Sequence, residues 1–384
     1  MVKVISKWIG PIAVVIECPV RYASVFVDNF CGAEELLPGK VPDLHLVLHE
    51  GHLTSDFDAD FDAGKNFRFK RGCFSFTGPQ FTATVDGLFS PDRPCRIDVW
   101  VTGGTGVARL LVQAARSAYS SLQEKRVVVQ RIAERVASTV MSYYLFWFVM
   151  HGVLLKKHAS FIHASALERD GRVMLLAGTG GCGKTSTTFR MLEDNSLSYL
   201  AEDFTILSVD GNVFFNPKTL SIYASDLRGE PRLLINYAQS HLAGPERRAW
   251  FRCREHGGVN PMRKVPPVQV LGKERLCMKA HLGIAFFLVR GNFDSIAIQA
   301  INESKFAERS MNASFRELKM LSEIVVQGWA VARAVAAMPT IEEFRAELKG
   351  NIEKAVMGCP CYLLQIPRQA DPRRVARFLT EMEW

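Results

Sequence analysis

The segment RVMLLAGTGGCGKTSTTFRML, residues 172–192, constrains this chain more than any other stretch. Gly178, Thr179, Gly180, Gly181, Cys182, Gly183, Lys184 and Thr185 satisfy the pattern GxxxxGK[ST], with an apolar run before it and a helix-compatible run opening at Ser186 after it. At average residue frequencies such a match arises by chance in a chain this long on the order of once in a hundred. The order of strand, glycine loop and helix is what an anion site requires. Glycines remove Cβ atoms so that successive backbone N–H groups can turn inward, and the helix that follows aims its positive end at the same anion. Lys184 is therefore expected at the β- and γ-phosphates of ATP, and the Thr185 hydroxyl at Mg²⁺. Gly178 to Ser186 are the expected nucleotide contacts, with Cys182 at a variable position of the loop.

Two acids stand where phosphoryl chemistry would need them. Glu202 and Asp203, in YLAEDFTIL, follow the loop just before an apolar run. A transferred phosphoryl group needs carboxylates to hold the metal and to orient or deprotonate the acceptor. Like charges this close also raise one pKa of the pair, which suits a general base. His163, in SFIHASALERDG, precedes Gly178 on a strand expected to run beside the loop strand, which would bring it to the same end of the sheet.

The remainder of the chain is that of a folded α/β protein. Its 384 residues are 48% hydrophobic and 22% charged, which excludes disorder and low complexity. The length suits two domains. A net charge of +8 invites anionic partners without selecting one, and no interleaved aromatics or recognition motif favours nucleic acid. Nine scattered cysteines, without a CxxC pair and with no signal peptide ahead of them, point to a reduced, cytoplasmic protein. The uncharged stretch 136–155 has the length of a membrane span, yet it carries Ser, Thr, His and Gly and continues an amphipathic pattern; a buried helix is expected.

From Trp8 to Val101, short β-rich runs alternate with turn signals. They predict one strand in WIGPIAVVIECPV and others at residues 22–28, 44–50, 73–78, 81–87 and 95–101, in a mostly antiparallel sheet. The acidic loop SDFDADFDAGKNF lacks the final Glu of a calcium loop and is expected to be solvated. Residues 107–155 read as helical. Beyond them, strands are expected at 161–168, 172–177, 204–209, 213–215, 283–289, 295–301 and 362–365, and helices at 184–192, 314–337, 340–356 and 372–382. Residues 228–279, rich in Arg, Pro and Gly, read as loops and short elements. The expected organisation is a β-rich domain at 1–105, a helical connector at 106–157 and a phosphate-loop domain at 158–384.

The order His163, strand, loop Gly178 to Thr185, helix, Glu202-Asp203 resembles the HPr kinase/phosphorylase family and the broader set of HPr-kinase-related proteins, whose fold is akin to phosphoenolpyruvate carboxykinase. The resemblance runs from about Phe161 to the end. It implies that Lys184 and Thr185 contact nucleotide and Mg²⁺, that Asp203 is an acid of the catalytic pair and a metal ligand, and that His163 neighbours the transferred phosphate; it leaves room for a homo-oligomer. Two departures stand out. Glu202 occupies the place of a first Asp, and the Glu-Ile-Arg-Gly signature is absent, its nearest text being Ser225-Asp226-Leu227-Arg228-Gly229-Glu230. They direct the expectation to a related kinase with another acceptor.

Among the many cations of residues 228–279, Arg263 and Lys264 are the candidates for phosphate or substrate contact. The expected function is transfer of the γ-phosphate of ATP to a hydroxyl, that of a Ser or Thr side chain in a peptide or small protein. The alternatives are a kinase for a small hydroxyl compound such as free serine, and an ATPase switch.

Overall fold

The computed structural model describes residues 1–50, 59, 61–63, 67–70, 73–77, 81–90, 92–101, 146–227, 231–242, 244–256, 262–318 and 339–382. Most of the acidic loop, the connector up to residue 145, Arg228 to Glu230 and residues 319–337 of an expected helix lie outside them.

The N-terminal sheet contains β1 (Val2–Ile9), β2 (Ile12–Pro19), β3 (Leu44–Glu50), β4 (Phe61–Ala63), β5 (Phe67–Lys70), β6 (Cys73–Thr77), β7 (Phe81–Asp86) and β8 (Cys95–Val101), in the order β1-β2-β3-β8-β7-β6-β5-β4. Its pairs are antiparallel except β2 with β3 and β3 with β8. In β8, Cys95, Ile97, Val99 and Val101 are buried and the intervening residues are not, as expected of a sheet with one face on a core.

Two expectations fail here. WIGPIAVVIECPV is a hairpin of two strands, because Gly10 adopts φ 59° and turns the chain between Ile9 and Ile12. Residues 22–28 are not a strand but part of α1 (Val20–Asn29). Their aromatic and β-branched content favours a strand in isolation. The apolar residues that bury are Tyr22, Ala23, Phe26 and, just past the helix, Phe30, a helical spacing that lets one face close on the sheet.

Next come α2 (Trp147–Lys156), β9 (Ala159–Ile162), β10 (Ala164–Arg169), β11 (Arg172–Gly178), α3 (Lys184–Met191), β12 (Ser198–Ala201), β13 (Thr205–Ser208), β14 (Asn212–Phe214) and β15 (Leu220–Tyr223). They are followed by α4 (Arg232–His241), α5 (Gly244–His256), β16 (Met262–Val265), α6 (Pro267–Leu271), β17 (Lys279–Gly291), β18 (Ala297–Ala300), α7 (Glu303–Glu317), α8 (Ile341–Ala355), β19 (Cys361–Pro367) and α9 (Pro372–Thr380). The second sheet runs β12-β10-β11-β17-β14-β13-β9, with β19 pairing both β17 and β18, while β15 and β16 form a separate ribbon. β11 is parallel to β17 and β17 to β19. After Arg172 every residue of β11 is buried, the signature of a central strand covered on both faces.

The expected loop region 228–279 holds two helices of ten and thirteen residues, α4 and α5. Their sparse apolar residues still reach a core: Leu234, Tyr237, Ala238, Trp250 and Cys253 all bury in one cluster with α3 and α9. The expected strand 161–168 is broken at His163, where the chain leaves its pairing with β13 for pairing with β11 and β12.

One hydrophobic cluster joins the two sheets. It contains the buried face of β8, Phe26 and Phe30, the buried residues of α2, and Phe161, Phe204, Ile206 and Phe344 of the second sheet and its helices. Phe146 and Trp147 are buried within it. Among the described residues no helix is long and apolar enough to cross a membrane.

Candidate active site

The strand β11 ends at Gly178, and the chain reaches α3 through five residues. Gly181 and Gly183 adopt φ 79° and 100°, which side chains with a Cβ rarely occupy. A Cβ on Gly178 would lie 2.8 Å from Cys182 Sγ and 3.0 Å from the Leu288 carbonyl oxygen. The glycines therefore serve both the turn and the close approach of the loop to β17. Lys184 is buried, and its Nζ donates to the carbonyls of Gly178 at 3.0 Å and Thr179 at 3.1 Å, folded back over the loop. The Ser186 hydroxyl donates to the Gly183 carbonyl at 3.1 Å. Cys182 turns its thiol into the core, and its N–H is taken by the Thr179 carbonyl.

Glu202 and Asp203 sit between β12 and β13 and point to different partners. Glu202 accepts a hydrogen bond from the Thr185 hydroxyl. Burial, followed by the neighbouring Asp203 charge, pushes its carboxyl above the usual carboxylate range, against the opposing influence of Lys218, Thr185 and Lys184. Asp203 is expected as a metal ligand along with Thr185; its Oδ1 is 3.3 Å from His163 Nε2, and its Oδ2 is 2.5 Å from Lys218 Nζ. Burial alone would raise its pKa. The Lys218 charge and the hydrogen bonds from His163 and Lys218 outweigh that and hold it well below the usual carboxylate range.

The backbone at this pair is unusual. The Phe204 N–H donates to the Glu202 carbonyl at 2.9 Å, closing a three-residue turn centred on Asp203, whose φ is 72°. Such γ-turns with positive φ are rare and strained. His163 lies across from it, buried, with Nε2 toward Asp203 and no hydrogen-bond partner for Nδ1 among the described residues. Its carbonyl accepts the Gly178 N–H at 3.3 Å, tying the strand break to the start of the loop.

A cavity of about 530 Å³ collects these groups. His163, Gly180, Gly181, Gly183, Lys184, Thr185, Ser186, Glu202 and Asp203 line it, together with Ser221, Tyr223, Asp226 and Glu317. The ribbon β15–β16 pairs Ser221 with Lys264 and Ile222 with Arg263. Neighbouring residues of a strand face opposite ways, so the two cations part company. Arg263 faces Glu246 in a bidentate pair at 2.7 and 2.9 Å. Lys264 lies on the other face, where burial and then the Lys218 charge press it down to about 8, against the attraction of Asp203.

Sequence reasoning passes over two cations. Lys218, 4% exposed, grips Asp203 from the segment Asn216-Pro217-Lys218-Thr219. Arg290, at the end of β17, donates from Nε to the Cys182 carbonyl at 3.3 Å and from Nη1 to the carbonyls of Arg368 and Ala370 at 3.2 Å each. The available signal is a lone cation flanking an apolar run, since a buried charge requires a partner.

The oxygen donors suit a hard cation bound with a nucleotide: Mg²⁺ takes one or two protein oxygens and completes its shell with phosphates and water. Thr185 and Glu202 offer such a pair at the mouth of the glycine cradle. Among the described residues no cluster of three or more His, Cys, Asp or Glu side chains offers a metal site of protein groups alone.

No protein-family model matches the chain, and no curated protein matches it. Among solved structures, the HPr(Ser) kinase/phosphatase of Coxiella burnetii aligns with 58% of this chain and 94% of its own, at 9% identity and a TM-score of 0.24. At that level no function passes from one protein to the other. What the chain displays in its own right is a mixed α/β architecture with a cavity lined by a glycine-rich loop at the end of a central strand.

Proposed function

We propose that this chain is a phosphotransferase that binds MgATP at Gly178 to Ser186 and passes the γ-phosphoryl group to a hydroxyl. One observation carries the reading: the glycine cradle with Lys184, the Thr185–Glu202 contact and the Asp203–His163 pair all open into one cavity. Backbone N–H groups of the loop and the N-terminal end of α3 would receive the phosphates. Lys184 would exchange the carbonyls of Gly178 and Thr179 for phosphate oxygens, gaining charged acceptors in place of neutral ones. Mg²⁺, held by Thr185 and Glu202, would supply neutralising charge on the phosphate oxygens.

Asp203, which shares the cavity with Glu202, is the acid assigned to the acceptor. Its pairing with Lys218 and His163 keeps it ionised but a weak base, so it would accept the hydrogen bond of the attacking hydroxyl and aim it, the proton passing to the transferred phosphoryl oxygens as the bond from the γ-phosphorus to the ADP oxygen breaks. Lys184, and Lys264 from the facing ribbon, would balance the charge of the group in flight. Tyr223 is 42% exposed and lies across the ribbon from the equally open Met262. This apolar rim suits a peptide or small-protein acceptor carrying a Ser or Thr side chain.

The test is transfer from γ-labelled ATP with Mg²⁺ into a lysate separated into protein, peptide and small-molecule fractions. Label is expected in protein or peptide and is lost with Lys184→Ala, a drop of about a hundredfold or more. Label confined to small metabolites would make the chain a small-molecule kinase. Free phosphate without a labelled acceptor would make it an ATPase switch.

A further inference from the structure

The N-terminal layer reaches the candidate active site along two lines that end on either side of Asp203. The first is polar. Asn29, the last residue of α1 and 7% exposed, accepts hydrogen bonds on Oδ1 from the Thr219 N–H at 3.3 Å and the Thr219 hydroxyl at 3.0 Å. Thr219 follows Lys218, whose Nζ holds Asp203 Oδ2. Asn216, 1% exposed, locks the same segment: its Oδ1 accepts the Lys218 N–H at 3.0 Å, and its Nδ2 donates to the Phe204 carbonyl at 2.6 Å.

The second line is aromatic. Phe30, next to Asn29, meets Phe146 at 5.3 Å between ring centroids; Phe146 meets Trp147 at 5.3 Å, Trp147 meets Phe161 at 6.0 Å, and Phe161 meets Phe204 at 5.4 Å. Phe204 follows Asp203 and carries Lys218 Nζ over its ring at 5.1 Å. The two lines thus meet where the backbone is held in its strained turn. Strain of this kind persists only when the surroundings over-determine it.

We propose that Lys218 is a positioning residue that holds Asp203 in its γ-turn, and that the N-terminal layer acts on phosphoryl transfer by fixing Lys218 through Asn29 and Thr219. The layer then serves the reaction without touching the substrate. What Asp203 does rests on the phosphotransfer reading above; how Asp203 is held rests on the contacts alone.

The test uses the full chain with Lys218→Met, Asn29→Ala and the double variant, and three readouts: kcat, affinity for a fluorescent ADP analogue, and amide exchange at Phe204 without nucleotide. A misplacement of about 1 Å costs on the order of a hundredfold in rate. Lys218→Met is therefore expected to lower kcat by about that factor with nucleotide affinity unchanged within about twofold. Loss of the brace should speed Phe204 exchange by about tenfold while α3 stays protected. Asn29→Ala should move both readouts the same way by less, and should add nothing once Lys218 is gone, because both act along one line.

Unchanged Phe204 exchange in both single variants would overturn the proposal. So would an Asn29→Ala loss that adds fully to that of Lys218→Met, or a loss confined to nucleotide affinity. If Lys218→Met does not fold, Asn29→Ala and Thr219→Val decide by the same exchange measurement. If the wild-type chain transfers no phosphoryl group, exchange still decides whether Lys218 and Asn29 brace the turn, while the role of Asp203 and the layer's action on transfer both fall.

Discussion

Gly183 shows how one residue without a side chain bears on the whole site. Its φ of 100° lies where an L side chain is strained, and a Cβ there would sit 2.8 Å from Arg290 Nη2. A guanidinium could ordinarily swing away, but this one is tied to the carbonyls of Cys182, Arg368 and Ala370. Gly183→Ala should therefore cost about 2 kcal/mol of stability. At Gly180 the nearest atom to an added Cβ is 3.9 Å away, so Gly180→Ala should unfold at nearly the wild-type urea concentration. Equal midpoints for the two variants would sink this account. The need for glycines is legible in the motif; which of them is intolerant is not, because that depends on an arginine more than a hundred residues away.

Among the elements, α2 places His151 in the core between the rings of Phe161 and Phe344, each 5.8 Å away. Its Nδ1 accepts the Phe161 N–H at 3.3 Å, while Nε2 has no hydrogen-bond partner among the described residues. Burial keeps the ring neutral and pushes its pKa from 6.5 down to about 3. Between those values the unfolded chain binds the proton and the folded chain resists it. The stability His151 allows is therefore complete above pH 6.5 and is lost progressively as pH falls toward 3. His151→Phe should be the less stable protein at pH 7, having left the Phe161 N–H unpaired, yet should lose less on acidification. Urea midpoints from pH 7 to pH 4 would show it, and parallel losses in both proteins would refute it. The same scale explains the misread elements. In α1 the aromatic and β-branched residues speak for a strand, but Tyr22, Ala23, Phe26 and Phe30 find their burial only as one face of a helix. In α4 and α5 the polar composition speaks for loops, although a few apolar residues at the right places are enough to anchor both helices.

For the molecule as a whole, the question is whether the parts fold separately. The expected division at residues 105 and 157 predicts two unfolding transitions if each part keeps its own core. The hydrophobic cluster instead runs from Phe26 and β8 through α2 to Phe161, Phe204 and Phe344. Separating the sheets would expose aromatic surface on both, so the chain should unfold in one calorimetric transition whose measured enthalpy equals the van't Hoff value. Two resolved endotherms would show independent cores. The features legible in the amino-acid order by itself are contiguous: the apolar β11, the glycine loop, α3 and the acidic pair, because hydrogen-bond geometry and periodicity there lie in neighbouring residues. Lys218 on Asp203, Arg290 under the loop, and Asn29 on Thr219 at a separation of 190 residues are decided by folding alone. Such contacts join residues that share no period and no motif, so nothing local in the chain marks one partner for the other.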